Sequence, residues 1–160
     1  MKFDFSGKVV AVTGGAGFGM GNVSARAFFD AGARVAICSR KKDRVDKAVE
    51  EIGAADPARC AGFVADMTVV DQAAGFVDQV VERFGRIDIL VNNAGVFRAK
   101  PSVEVTEDDW DFQFNTKPRG YFFTATAAAR DMMKRGEGGC IINIGSVNAE
   151  CMSYNPVVYA

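Results

Sequence analysis

Histidine is absent from all 160 residues of the chain. No nucleophile can then be activated by a Ser-His or Cys-His couple, and no metal can be held by imidazole. Proton transfer has to fall to another residue type. Cysteine is sparse as well: Cys38, Cys60, Cys140 and Cys151 stand far apart with no C-x-x-C pair, which argues against a disulfide framework or a zinc site. Cys38, Cys60 and Cys140 lie in or beside apolar runs and are expected to be small buried hydrophobes. Neither sign of charge is in excess, since 19 basic residues meet 20 acidic ones for a formal net charge of -1. A basic footprint for nucleic acid and a cationic face for a membrane are both missing. No apolar run approaches the length that spans a bilayer, and the first eight residues carry Asp4 and no apolar stretch of the signal-peptide kind. These absences predict a cytoplasmic protein that binds neither nucleic acid nor membrane.

What is present suffices for one globular domain: 49% of residues are hydrophobic and 24% charged, the balance of a soluble chain with a real core. Short apolar runs recur at Val9–Val12, Arg34–Cys38, Cys60–Ala65, Ile87–Val91 and Cys140–Ile144 without polar alternation, as strands covered on both faces require. Between them lie helical spacings. The clearest is Ala73, Val77, Val80, Val81 and Phe84, opened by a Thr68-x-x-Asp71 capping pattern and closed by Gly85. Val45, Val49 and Ile52, closed by Gly53, form another, and Gly32 ends the first helix in the same way. A last long helix opens at Thr106-x-x-Asp109 and runs towards Met133, with a kink or bulge expected at Pro118 and Gly120. Strands alternating with helices through short connections predict a doubly wound α/β fold of the Rossmann type, with five parallel strands in a single domain over 1–160.

Chemistry concentrates at the strand ends. Behind the first strand stands Thr13-Gly14-Gly15-Ala16-Gly17-Phe18-Gly19-Met20-Gly21, where glycines let the backbone approach a diphosphate resting against a helix N-terminus. Thr-Gly-x-x-x-Gly-x-Gly in this place resembles the phosphate loop of the short-chain dehydrogenases and reductases. Asn92-Asn93-Ala94-Gly95 after the fourth strand is similar to that family's second hallmark. Phe63-Val64-Ala65-Asp66-Met67 resembles the segment whose aspartate contacts the adenine amino group, and Ile142-Asn143-Ile144-Gly145-Ser146 its catalytic-serine strand. The resemblance covers the whole chain. It implies cofactor contacts at Thr13, Gly14, Gly17, Gly19, Gly21, Asp66, Met67, Asn93, Ala94 and Gly95. One departure is visible: four residues separate Thr13-Gly14 from Gly19-x-Gly21 where the family has three, so either the turn bulges or the glycines shift register, with Gly17 replacing one of them.

At the end of the second strand an acidic residue would select NAD(H) and an arginine NADP(H). The chain reads Ser39-Arg40-Lys41-Lys42, which predicts a preference for NADP(H) through Arg40 and Ser39, with NAD(H) as the alternative. The glycine turn lacks the second basic residue that many NADP-preferring relatives carry. By resemblance, Ser146 would hydrogen-bond the oxygen of a small carbonyl or alcohol substrate, and Tyr159, thirteen positions on, would act as acid or base. Asn115 would shape the long helix and hold a water in the proton relay. A free tyrosine titrates near ~10, and the family lowers it with a lysine four positions further, which falls past Ala160. The resemblance therefore implies a hydride-transferring oxidoreductase whose 160 residues form an incomplete, inactive portion of a homo-oligomeric enzyme. The competing expectation is a non-catalytic dinucleotide-binding module or sensor. From Asn115 to Ser146 the chain runs two residues longer than the family pattern, with Pro118-Arg119 the expected insertion. Asn92 and Asn93 could instead cap the fourth strand, Asn143 is expected to be structural, and Phe97, Arg98 and Lys100 are candidates for a substrate entrance.

Overall fold

The computed structural model describes residues 3–150, the side chain of residue 149 excepted. Five strands form one parallel sheet in the order β3-β2-β1-β4-β5: β1 (Val9–Val12), β2 (Arg34–Ser39), β3 (Cys60–Val64), β4 (Ile89–Asn92) and β5 (Cys140–Asn143). The helices between them are α1 (Met20–Asp30), α2 (Lys42–Ile52), α3 (Val70–Phe84), α4 (Glu107–Phe114) and α5 (Gly120–Arg135). Register runs straight across the middle of the sheet, with Val12 paired to both Ile37 and Val91, and Val91 to Ile142. The order reverses between β1 and β4, so the connections leaving their carboxyl ends part to opposite faces. The crevice that this reversal opens is where doubly wound sheets bind ligands.

Period-two geometry explains why β1 carries no polar alternation. Val9 and Ala11 point into one core with Phe76, Val77, Val80 and Phe84 of α3 and Ala128 and Met132 of α5. Val10 and Val12 point into the other, with Ala25 and Phe29 of α1 and Val45 and Ile52 of α2. All four β1 side chains are fully buried. Asp88 clamps the entry to this centre: its carboxylate accepts from the Val9 N–H at 2.9 Å and from Arg86 at 2.6 Å. Burial resists its ionisation, yet the Arg86 guanidinium and the Val9 N–H outweigh that and hold its carboxyl below the usual value.

Gly85 closes α3 in the left-handed conformation (φ 83°), and Gly32 closes α1 likewise, with Ala33 N–H returning to Phe28 O and Gly32 N–H to Phe29 O. Gly53 differs. Its φ is -80°, and the chain continues into short 3-10 turns at Gly53–Ala55 and Pro57–Arg59. The Thr68-x-x-Asp71 pattern does not cap α3 either, because Asp66 captures Thr68 first: the Thr68 N–H and hydroxyl both donate to Asp66 Oδ1, at 2.9 and 2.8 Å. The cap position passes to Val69. Thr106-x-x-Asp109 is a full capping box, as expected. The fourth strand begins at Ile89, two residues after its apolar run starts. Cys38 and Cys60 are buried as expected, but Cys140 is exposed, since β5 pairs with β4 alone among the described strands and its outer side is uncovered. No helix among the described residues is long and apolar enough to cross a membrane.

Candidate functional site

Thr13 follows β1 directly and is fully buried. Its hydroxyl oxygen accepts from the backbone N–H of Asn93 at 2.9 Å and of Ala94 at 3.0 Å, while its carbonyl accepts from Asn93 Nδ2 at 2.9 Å. Two of the expected cofactor contacts, Thr13 and Asn93, thus spend their polar groups stapling the segment after β4 onto the glycine turn. That staple brings the two turns so close that a side chain has no room. A Cβ on Gly14, whose φ is +68°, would stand 3.0 Å from Ala94 Cα, and one on Gly21 would stand 2.3 Å from Asn93 Nδ2 and 2.8 Å from Gly14 O. Gly17 and Gly19 behave differently, because a Cβ there would meet nothing within 4 Å.

The Phe18 side chain stands fully exposed in the turn, and α1 begins at Met20. Gly19 is the N-cap of α1, no side chain caps the helix and its first turn holds no acidic residue. The amide groups of that first turn have no side-chain cap, the condition under which a helix start accepts an anion. Gly15 had not stood out among the glycines of the sequence, yet a Cβ on it would sit 2.7 Å from Ile37 Cγ2. Its doubled position beside Gly14 was the available signal.

Two cavities meet along the carboxyl edge of the sheet. The first, about 190 Å³, is bounded by Gly14 and Gly17 of the turn, Ser39 and Arg40 at the end of β2, and Asp66 and Met67 after β3. The second, about 340 Å³, is bounded by Gly19, Gly21, Asn93, Phe97, Lys117 and Gly145. Gly14, Ala94 and Gly95 line both, so they form one cleft across the crossing point of β1 and β4. Ser39 turns its Oγ back towards Lys41 N–H at 3.5 Å. Arg40 is exposed at the rim. Cys38 also borders the first cavity, but burial pushes its thiol up to about 12 against the pull of a Gly14 backbone hydrogen bond, so it keeps its proton.

The expected catalytic residues are less assembled. Ser146 follows β5 beside the cleft-lining Gly145, and its Oγ accepts from Asn148 N–H at 3.2 Å, capping the short turn Val147–Ala149. Asn115 opens a π-helical turn, Asn115–Arg119, in which its carbonyl accepts from Gly120 N–H and its side chain accepts from Arg119 Nη1 at 3.2 Å. Its neighbours Thr116 and Lys117 line the cleft in its stead; sequence reasoning did not find them, because the wide turn sets which residues face inward. Tyr159 lies outside the described residues. Asn92, fully buried, donates to Tyr121 O at 3.2 Å and to Asn143 Oδ1 at 3.0 Å, a cross-strand pair that gives Asn143 its structural place. Its own Oδ1 has no partner among the described residues. Of the entrance candidates, Phe97 borders the second cavity, whereas Arg98 and Lys100 are drawn to Asp108 and Asp109 at the head of α4.

Comparison with known proteins gives this cleft a context. A family model described as short chain dehydrogenase matches residues 8–160. Sorbitol dehydrogenase of Cereibacter sphaeroides is 40% identical over 148 residues, which are 91% of this chain and 54% of that protein. The (5R,7aS)-5-hydroxy-7a-methyl-1-oxo-2,3,5,6,7,7a-hexahydro-1H-indene-carboxyl-CoA reductase of Mycobacterium tuberculosis is 36% identical over 141 residues, 88% of this chain and 54% of that protein. The chain spans about half the length of the curated relatives it matches. Among solved structures, a short chain dehydrogenase from Burkholderia cenocepacia in complex with NADP matches with a TM-score of 0.89 and 38% identity, covering 97% of this chain and 62% of that one.

Proposed function

From the premise that this chain belongs to the short-chain dehydrogenase family, we propose that it carries the coenzyme-binding part of an oxidoreductase that moves a hydride between NADP(H) and a carbonyl or alcohol. The observation that carries this reading is the cleft at the β1/β4 crossing, with an open glycine edge on one side and unneutralised arginine at the other. A dinucleotide fits what is there. Gly17, Gly19 and the uncapped start of α1 offer backbone N–H groups to a diphosphate. Arg40 and Ser39 at the end of β2 would hold a ribose 2′-phosphate, and Asp66 with Met67 would border the adenine. Asp66 Oδ1 is already occupied by Thr68, which fixes the carboxylate and leaves its second oxygen to face a ligand amino group.

When bound, the nicotinamide supplies or accepts the hydride. The chain's own residues handle the proton: Ser146 would donate a hydrogen bond to the substrate oxygen, and Tyr159 would give or remove the proton there. Asn115 would order the helix that carries Thr116 and Lys117 to the cleft. A second reading, a dinucleotide-binding module without catalysis, is favoured by one observation: the side chains of Ser146 and Asn115 are engaged locally, with Asn148 and Arg119.

Titration of the purified protein into NADPH and NADH, followed by nicotinamide fluorescence, tests the common premise. Both should bind, NADPH more tightly, and absence of binding to either by folded protein would overturn both readings. Turnover of a carbonyl panel by the full-length parent protein then separates them. Under the catalytic reading Tyr159→Phe and Ser146→Ala each lower kcat by about 10² or more with NADPH affinity unchanged, whereas the module reading expects binding and no turnover in the parent protein.

A further inference from the structure

We infer that Arg44, in the first turn of α2, is a second cation for the ribose 2′-phosphate, and supplies from a helix what the glycine turn does not. This rests on the reading of the cleft as an NADP(H) site. Between Thr13 and Gly21 there is no lysine or arginine, and at Gly17 there is neither a side chain nor any atom within 4 Å of where one would begin. The wall facing that gap is Arg44. It borders the first cavity together with Ser39 and Arg40, and it also borders a neighbouring cavity of about 230 Å³ together with Gly17 and Phe18. Gly17 and Arg44 are thus shared by both cavities and stand on either side of the passage between them.

Charge pairing sharpens the assignment. Of the other cations around α2, Lys42 is paired with Asp46 at 2.5 Å, Lys47 with Glu51 at 3.9 Å and Arg26 with Glu51 at 2.6 Å, while Lys41 at the N-cap borders neither cavity. Arg40 and Arg44 form no ion pair or side-chain hydrogen bond with another described residue. The acids bordering these spaces are Asp43 and Glu51 in the neighbouring cavity and Asp66 in the first. Asp43 lies beside Arg44 in the chain without pairing to it, Glu51 is taken up by Arg26 and Lys47, and Asp66 accepts from Thr68. Two guanidinium forks left free at one cavity wall suit a phosphate dianion, which accepts several charge-assisted hydrogen bonds at once; a ribose hydroxyl offers a single oxygen and no charge. Arg44 therefore decides between the two coenzymes and takes no part in the proton or hydride steps.

Calorimetric titration with adenosine 2′,5′-bisphosphate and with AMP reads this without any turnover, because the two differ in the 2′-phosphate alone. The parent protein should favour the bisphosphate. Arg44→Ala should lose roughly tenfold or more of that affinity with AMP binding unchanged, and Arg44→Lys should recover part of it. Arg44 is exposed, so the variants keep the fold, which circular dichroism verifies. If Arg44→Ala retains the parent's ratio of bisphosphate to AMP affinity, or weakens both ligands equally, the role of Arg44 is refuted while the NADP(H) reading stands. If the parent itself does not distinguish the two ligands, the NADP(H) reading falls and this inference with it.

Discussion

Asp109 shows how much one side chain can organise. It lies almost fully out of solvent at the head of α4 and accepts hydrogen bonds from Lys100 Nζ at 2.5 Å, from the Thr106 hydroxyl at 2.7 Å, from Thr106 N–H at 3.2 Å and from Arg98 Nη1 at 3.2 Å. Lys100 first, and then Thr106, hold its carboxyl well below the usual carboxylate range. The sign follows from linkage: a carboxyl that titrates lower when folded contributes stability that is fully present above its unfolded value near ~3.9, and that contribution is lost as pH falls through the folded value. Urea midpoints measured from pH 7 down to acid should therefore drop below about pH 4, while Asp109→Asn should be less stable at neutral pH and show a flatter acid limb. An unchanged acid limb in the variant would refute the assignment. The capping half of this cluster was readable in Thr106-x-x-Asp109. The recruitment of Arg98 and Lys100, candidates for a substrate entrance on sequence grounds, was not, because their partners sit nine to eleven residues along the chain and nothing local marks them.

Among the elements, the π-helical turn Asn115–Arg119 has the largest consequence. Pro118 and Gly120 announce an interruption, and the helix widens there: Gly120 N–H reaches back five residues to Asn115 O. What the sequence leaves open is the direction in which the wide turn points. Packing decides it, because Gly120 lies against the segment after β3, where a Cβ would come within 2.5 Å of Met67 O and 3.3 Å of Asn115 O. Gly120→Ala should cost about 1–3 kcal/mol of stability through overpacking against backbone, seen as a lower urea midpoint at unchanged slope. Because Met67 borders the cleft, the same variant should bind NADPH more weakly. A midpoint equal to the parent's would show that α5 can move away at no expense. The misplaced start of α3 teaches a related lesson, since both Thr68 and Asp66 are good turn residues and the nearer partner wins.

For the molecule as a whole, the cleft couples ligand binding to folding, since its walls come from the ends of β1, β2, β4 and the segments after β3 and β5. A ligand that binds only this assembled arrangement stabilises it by mass action, about 2.7 kcal/mol at a hundredfold excess over Kd. For a chain of this length that corresponds to a rise in Tm of roughly 5–10 °C with NADPH. NADH should raise it less at equal concentration, and no shift with either coenzyme would contradict the site. Sequence alone determined the alternation of strand and helix, the parallel sheet and the family, because unalternating apolar runs, capping residues and glycine turns are local signals imposed by backbone geometry and burial. It also located the ends of the strands where chemistry would gather. Only the tertiary structure decided which glycines the protein needs for itself, which it leaves open to a ligand, and that an arginine from α2 faces the gap in the turn. Those are distances between segments far apart in the chain, and contacts of that kind are set by how the elements pack.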